Sequence, residues 1–279
     1  MYQHQLMPGP EIFGILAAIL FIVGYLSYII YYAFGLYHLN PFNKIKKITR
    51  DEEYYLRTHF PIYASLPERF KEKFEKRLAW FRCRKKFVFY GGVEKEHEIT
   101  LLLSATASLL TLGLSNYRML RSVLRVVIYP SQYYSRIKKQ HHLGEYNPGL
   151  KTLVFSAESL KEGFNVPDDN LNLAMHEFAH ALSFESFRKN TWEARKFRYG
   201  FRKIGKMLKD EDFIKKLDTS NYFRAYGKTN IHEFFSVLVE SYVESPSEFK
   251  KEFPKLYRIV RNMLNFDFYE PSWELRIKT

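Results

Sequence analysis

An uncharged apolar segment near the N-terminus constrains this chain most. Residues 12–39 contain no Asp, Glu, Lys or Arg, and the segment exceeds the roughly 20 residues with which an α-helix crosses a bilayer. A cleaved signal peptide is the alternative, but no basic residue precedes Lys44, and the apolar run is roughly twice as long as a signal-peptide core. We therefore expect one transmembrane helix at about 12–37, within an N-terminal segment 1–43.

The residues around the end of this segment predict its orientation. Its second half is rich in tyrosine, which favours membrane interfaces, and basic residues follow from Lys44 to Arg50. Because basic loops stay on the cytoplasmic side, we expect a single-pass protein of the cell membrane whose remaining residues lie in the cytoplasm. The only cysteine, Cys83, is typical of a reducing compartment and excludes a Cys-rich zinc motif.

A second stretch without charge, Ile99–Tyr117, is also long enough to be considered as a membrane span. Thr100, Ser104, Thr106, Ser108 and Thr111 interrupt it, and this mixed polarity is typical of a helix buried in a globular domain. We expect a buried helix here, with the rest of the chain on the same side of the membrane.

The remainder has the composition of a folded domain. Hydrophobic residues make up 46% and aromatic residues 18% of the chain, which excludes intrinsic disorder. The formal net charge of +13 suits an anionic partner such as nucleic acid or a membrane surface. Because no helix-turn-helix or RNA-binding signature accompanies the charge, we predict no nucleic-acid partner.

Early strands and later helices predict an α+β domain at 65–268, between a basic juxtamembrane linker at 44–64 and a C-terminal tail at 269–279. Ser65 and Glu68 match a helix-capping pattern ahead of an amphipathic helix. Apolar runs bounded by breakers predict strands at 87–90, 123–129 and 153–155. Helical periodicity predicts helices at 171–186, 191–208, 231–244 and 247–264.

The chemistry lies in an HExxH motif formed by His176, Glu177 and His180. Four residues of helix turn through about 400°, so the two histidines project from one face and can bind a single Zn²⁺ ion. Such an ion lowers the pKa of its water, and Glu177 can take that proton and pass it to a leaving amine. The motif therefore predicts metal-assisted hydrolysis of an amide.

A catalytic zinc needs a third protein ligand, and residues 230–240 are the candidate segment. Glu233 and Glu240 lie two turns apart on one face of the predicted helix. One carboxylate could bind the metal while the other accepts the second N–H of a ligand histidine. Glu233 could instead close a capping box with Asn230, so the residues alone leave the ligand open.

The order of three motifs adds a family resemblance. From about residue 60 to 267, the chain resembles the bacterial glucose-regulated zinc metallopeptidases, the family of the Mlc titration factor. The resemblance rests on HEFAH at 176–180, NIHEFFSV at 230–237 and FPKLY at 253–257.

The resemblance implies a zincin-like metallopeptidase domain of the gluzincin type. Zinc would be held by His176, His180 and Glu233, with Glu177 as general base and Glu240 as a partner of a ligand histidine. The more distantly similar catalytic domain of anthrax lethal factor has a tyrosine seven residues before its ligand glutamate, which implies transition-state help from Tyr226.

Two departures from the family bear on these expectations. The family usually has Asp three residues after the second histidine, where this chain has Ser183, and its soluble members lack the N-terminal anchor.

We predict a membrane-anchored zinc peptidase acting on peptide or protein substrates. The alternative is a binding protein that uses the same fold to sequester a transcription regulator. His232, next to Glu233, is a secondary candidate for transition-state stabilisation. His141 and His142 are expected in a solvated loop rather than in a second metal site.

Overall fold

The computed structural model describes residues 10–33, 36, 44–115, 118–135, 139–165, 170–224 and 230–269. The chain forms two compact units, Met1–Lys44 and Ile45–Thr279. In the first unit, helix α1 spans Pro10–Ala33. Its part from Ile12 to Ala33 has a mean hydropathy of 2.4 and is long and apolar enough to cross a membrane.

The second unit combines helices with two small sheets and is an α+β domain, as predicted. Its helices are α2 Arg50–His59, α3 Pro61–Ser65, α4 Glu68–Arg84, α5 Glu96–Leu110, α6 Ala157–Asn165, α7 Leu173–Phe187, α8 Trp192–Met207, α9 Glu211–Ser220, α10 Ile231–Glu244, α11 Pro246–Glu252 and α12 Pro254–Leu264. Its strands are β1 Lys86–Phe89, β2 Arg125–Tyr129, β3 Tyr133–Ser135, β4 Gln140–His142, β5 Gly144–Asn147 and β6 Thr152–Ser156.

The larger sheet has the strand order β1-β2-β6-β5. Strands β1, β2 and β6 are parallel, and β5 pairs antiparallel with β6. The three parallel strands are the predicted ones, whose apolar side chains pack into the core. Strand β5 was not predicted, because its sequence Gly-Glu-Tyr-Asn has the composition of a turn.

Helix α5 is the buried helix predicted for the second uncharged stretch. All ten of residues 101–110 are buried. Two of the hydroxyls that made the stretch polar bond within the helix, from Thr106 to the Leu102 carbonyl at 3.0 Å and from Ser108 to the Ser104 carbonyl at 2.7 Å. These bonds satisfy both hydroxyls without water, which offsets the free-energy cost of burying them.

Residues 50–65 form helices α2 and α3 where the sequence led us to expect a linker. Thr49 and Glu52 build a capping box at the start of α2, which the linker interpretation overlooked. Leu56 and Tyr63 are fully buried, so both helices contribute to the core of the domain.

Two predicted helix ends were wrong. Ser65 does not cap α4, because it ends α3 and its hydroxyl donates to the Ile62 carbonyl at 3.1 Å. The single helix expected at 247–264 is divided into α11 and α12 at Phe253, because Pro254 has no N–H to continue the first helix and instead starts the second.

Candidate metal centre

Helix α7 presents the two histidines of the HExxH motif. Asn172 caps the helix by accepting a hydrogen bond from the Met175 N–H at 3.1 Å. One face of α7 is apolar and packs in the core. His176 and His180 lie one turn apart, and their Nε2 atoms are 3.2 Å from each other.

Helix α10 brings Glu233 to the same place. The side chain of Asn230 accepts hydrogen bonds from the backbone N–H groups of His232 and Glu233, at 2.9 and 3.0 Å. Asn230 therefore caps the helix through its own oxygen. The carboxylate of Glu233 points to the histidines of α7, which packs against α10.

The three side chains form one cluster. Glu233 Oε2 lies 3.1 Å from His176 Nε2, and Glu233 Oε1 lies 3.5 Å from His180 Nε2. Each residue offers one ligand atom, and these atoms all lie within 4.8 Å of one another. The cluster is thus a candidate metal centre of two imidazoles and one carboxylate.

The cluster attracts positive charge. Burial lowers the pKa of His176, but hydrogen bonds to Glu233 and Glu240 outweigh burial and raise that pKa to about 10. Hydrogen bonds to His176 and His180 hold the pKa of Glu233 well below its ordinary value. Either a proton or a metal cation can supply the charge that these carboxylates favour.

Glu240 holds His176 from behind. It is 1% exposed, and its Oε1 lies 2.8 Å from His176 Nδ1. Its carboxylate also accepts hydrogen bonds from the Asn172 N–H at 2.9 Å and from the guanidinium of Arg224 at 2.6 and 2.7 Å. A neutral His176 that donates its Nδ1–H to Glu240 keeps the lone pair of Nε2 directed at the cluster.

Comparison with known proteins identifies the family of this chain. Residues 42–265 match the model of the family described as glucose-regulated metallo-peptidase M90. The chain belongs to this family. It is also 24% identical over 215 residues to an uncharacterized protein of Synechocystis sp., and the match covers 72% of this chain and 78% of that protein.

As an M90 metallopeptidase, the chain has a zincin-like fold and belongs to enzymes that work with a metal ion. The resemblance drawn from the three sequence motifs is thereby confirmed. All three motifs lie within the matched residues.

Glu177 of this M90 metallopeptidase lies beside the cluster and is 7% exposed. It lines two cavities, one of about 580 Å³ and one of about 710 Å³, which also share His142, Gly144 and His176. Gly144 lets strand β5 approach α7, since a Cβ atom there would lie 2.6 Å from Leu173 Cδ1 and 3.2 Å from Glu177 Cγ. The candidate metal centre therefore lies where two cavities meet.

The other predicted residues have different positions. His232 lines the first cavity, and its ring lies 5.0 Å from that of Phe201. Ser183 donates its hydroxyl to the His180 carbonyl at 2.8 Å, so it bonds to the backbone of α7. Tyr226 lies outside the described residues.

Sequence reasoning missed two parts of the site. Arg224 lies between helices, and no spacing rule connects it with Glu240. The pair His141–His142 belongs to strand β4, which pairs with β3, instead of the expected loop. His142 lines both cavities, and His141 lines the second.

Proposed function

We propose that this chain is a zinc-dependent peptidase that α1 anchors in the cell membrane. The observation that carries the proposal is the spacing of the three donor atoms next to a buried glutamate. The ring nitrogens of His176 and His180 and the nearest oxygens of Glu233 are 3.1–3.5 Å apart. A tetrahedral Zn²⁺ with bonds of about 2.0–2.1 Å keeps its ligand atoms about 3.3–3.4 Å apart.

The donor set also suits zinc chemically. Two imidazoles and a carboxylate are a known catalytic zinc set that leaves a fourth position open, whereas Ca²⁺ and Mg²⁺ prefer oxygen ligands throughout. Bound there, zinc would supply Lewis-acid activation of water at neutral pH. His176, His180 and Glu233 would hold it, and Glu240 with Arg224 would fix the ring of His176.

Glu177 is the proposed general base. Its carboxylate is nearly excluded from solvent and lies at the junction of both cavities, where a scissile peptide bond has to reach the centre. It takes a proton from the attacking water and delivers that proton to the nitrogen of the leaving amine. The reaction then needs no covalent intermediate with the protein.

Tyr226 is the proposed stabiliser of the oxyanion, because it stands seven residues before Glu233, which is the offset of the tyrosine in the distantly similar catalytic domain of anthrax lethal factor. A phenol O–H that donates to the developing charge lowers the transition state more than the ground state. Tyr226→Phe should lower kcat and leave the zinc content unchanged, and an unchanged kcat would remove this role. His232 is the second candidate, because it lines the same cavity as His180.

The two cavities favour cleavage within a peptide chain. Both have exposed lining residues at their edges, Phe187 in the first and Leu143 and Leu171 in the second. In the second cavity Arg224 and Glu240 form an ion pair at 2.6 Å, so their opposite charges offset each other toward a charged peptide terminus. A substrate could therefore extend from the centre in both directions.

A purified full-length protein in detergent tests the proposed activity. It should hydrolyse members of a peptide library, lose activity with a zinc chelator and regain it with added Zn²⁺. Glu177→Gln should bind the same zinc and cleave nothing. If the wild-type protein holds zinc and cleaves no peptide, the alternative of a binding protein that sequesters a transcription regulator is favoured.

A further inference from the structure

The outer face of α8 has an unusual composition. Six residues of this helix are exposed, and each of them is aromatic or basic. They are Trp192, Arg195, Tyr199, Arg202, Lys203 and Lys206. Their spacing of three or four residues places them along one side of the helix, opposite the buried residues Phe197, Phe201 and Ile204. We call this side the α8 face.

Other surface helices of the same domain are different. Helix α4 exposes Arg69, Lys73 and Lys76 together with Glu68 and Glu72, and Lys76 pairs with Glu72 at 2.6 Å. Helix α9 likewise exposes both acids and lysines. Mixed charges of this kind are typical of a face that only contacts water. The α8 face has no acid among its exposed residues, so general solvation does not explain it.

Helix α12, the neighbour of α8, is also basic. It packs closely against α8, where a Cβ atom on Gly200 would lie 2.3 Å from Met263 Cγ. The helix contains no acid, and it exposes Lys255 and Arg258. Part of the net charge of +13 is therefore concentrated on this pair of helices.

Aromatic side chains distinguish the α8 face from a simple basic patch. Trp192 is 72% exposed and Tyr199 is 55% exposed. The ammonium group of Lys203 lies 4.5 Å from the centre of the Tyr199 ring. Tryptophan and tyrosine favour the headgroup region of a bilayer, and lysine and arginine bind anionic headgroups there. We propose that the α8 face binds the surface of an anionic phospholipid bilayer.

Aromatic and basic residues also bind nucleic acid. The short connection between α1 and the domain favours a bilayer as the partner of the α8 face. The apolar helix ends at Ala33 and the compact domain begins at Ile45. If α1 is in a membrane, only residues 34–44 separate the domain from that membrane. The local concentration of lipid at the domain is then high. Individually weak headgroup contacts are then sufficient to hold the face at the surface.

Reconstituted full-length protein tests this proposal. We would insert it into vesicles of phosphatidylcholine alone or with phosphatidylglycerol, each containing brominated acyl chains that quench nearby tryptophan. Trp192 fluorescence, obtained by subtracting the signal of Trp192→Phe, should be quenched in the anionic vesicles. The quenching should decrease in zwitterionic vesicles and at high salt, because salt screens surface charges.

A pair of triple variants separates the α8 face from total charge. Arg202→Gln with Lys203→Gln and Lys206→Gln should abolish the quenching. The matched control, Arg69→Gln with Lys73→Gln and Lys76→Gln on α4, removes the same charge and should preserve it. The proposal would be overturned if the two triple variants changed the quenching equally, or if Trp192 of the wild-type protein were not quenched in any vesicle. So would equal affinity for a single-stranded oligonucleotide and for anionic vesicles.

Discussion

Glu240 Oε1 lies 2.8 Å from Nδ1 of His176, on the side of the imidazole that is turned away from the metal cluster. The same carboxylate is held by Arg224 and by the backbone of Asn172. Three groups from three parts of the chain thus fix one ring. This arrangement orients Nε2 toward His180 and Glu233 before any metal binds.

Removing Glu240 should weaken the metal centre without removing a ligand. Glu240→Gln should lower zinc affinity or activity by about 10- to 100-fold, a typical cost of losing a partner of a ligand histidine. Arg224→Gln should act in the same direction and less strongly, because Asn172 still holds the carboxylate. Zinc dissociation measured with a competing chelator checks both variants, and wild-type affinity in both would contradict the role of this network.

Peptides with blocked ends test whether the cleft cuts within a chain. An N-acetylated and C-amidated peptide should be cleaved at an internal bond at a rate similar to that of the same peptide with free ends. The two cavities give this result its physical reason, since both extend from the centre. Mass spectrometry of the products identifies the bond. If the protein only removed residues one at a time from a free amino end, cleavage within a chain would be contradicted. The protein would then be a zinc peptidase of the exopeptidase type.

Membrane orientation is a further prediction. A reporter fused at the C-terminus should remain in the cytoplasm, and a reporter fused at residue 1 should be translocated. The physical reason is the cluster of basic residues from Lys44 to Arg50 after the apolar helix. Protease protection in vesicles measures both fusions. A translocated C-terminus would contradict the orientation and favour a cleaved signal sequence.

Lys85 predicts a pH dependence of stability. Burial lowers its pKa from 10.5 to about 7, while its Nζ donates to the carbonyls of Met119 and Val123 at 3.1 and 2.5 Å. Between about pH 7 and pH 10 the unfolded chain keeps a proton that the folded chain has lost, so the free energy of unfolding rises with pH. This contribution is lost as the pH falls toward 7.

The variant Lys85→Met removes that titration. Urea unfolding of the full-length protein should show the difference in stability between wild type and variant growing in favour of wild type from about pH 7 to about pH 9. Lys76→Met, on the exposed side of α4, is the control and should leave the pH dependence as in wild type. Parallel pH curves for wild type and Lys85→Met would contradict the assignment.

Most of the core could be predicted from the sequence, because periodicity directly reflects burial. The strands with β-branched and aromatic residues and the helices carrying both halves of the site were predicted close to their observed bounds. Strand β5 was not predicted, because its sequence is typical of a turn and only packing against α7 places it in the sheet. Helices α6 and α9 were also missed, since each spans only nine or ten residues, too few for periodicity to stand out in a sequence window.

Within the site, sequence spacing identified side chains that share a helix and missed those that meet across helices. The pairs His176–His180 and Glu233–Glu240 follow from helical geometry. The residues alone left the choice between the two glutamates open, because Asn230 offered a capping alternative for Glu233, and the family resemblance favoured Glu233 as the ligand. Asn230 bonds to backbone N–H groups, and Glu233 meets the histidines. Arg224 left no signal in the sequence.

Zinc analysis of matched glutamine variants tests the proposed centre most directly. Glutamine keeps the size of glutamate and removes its charge, so each variant reports the electrostatic role of one carboxylate. We predict that Glu177→Gln keeps one zinc per chain and loses hydrolysis by several orders of magnitude, because the base does not hold the metal. Glu233→Gln should lose zinc and activity together. If Glu240→Gln strips the metal while Glu233→Gln retains it, the third ligand is Glu240, and the proposed centre is wrong.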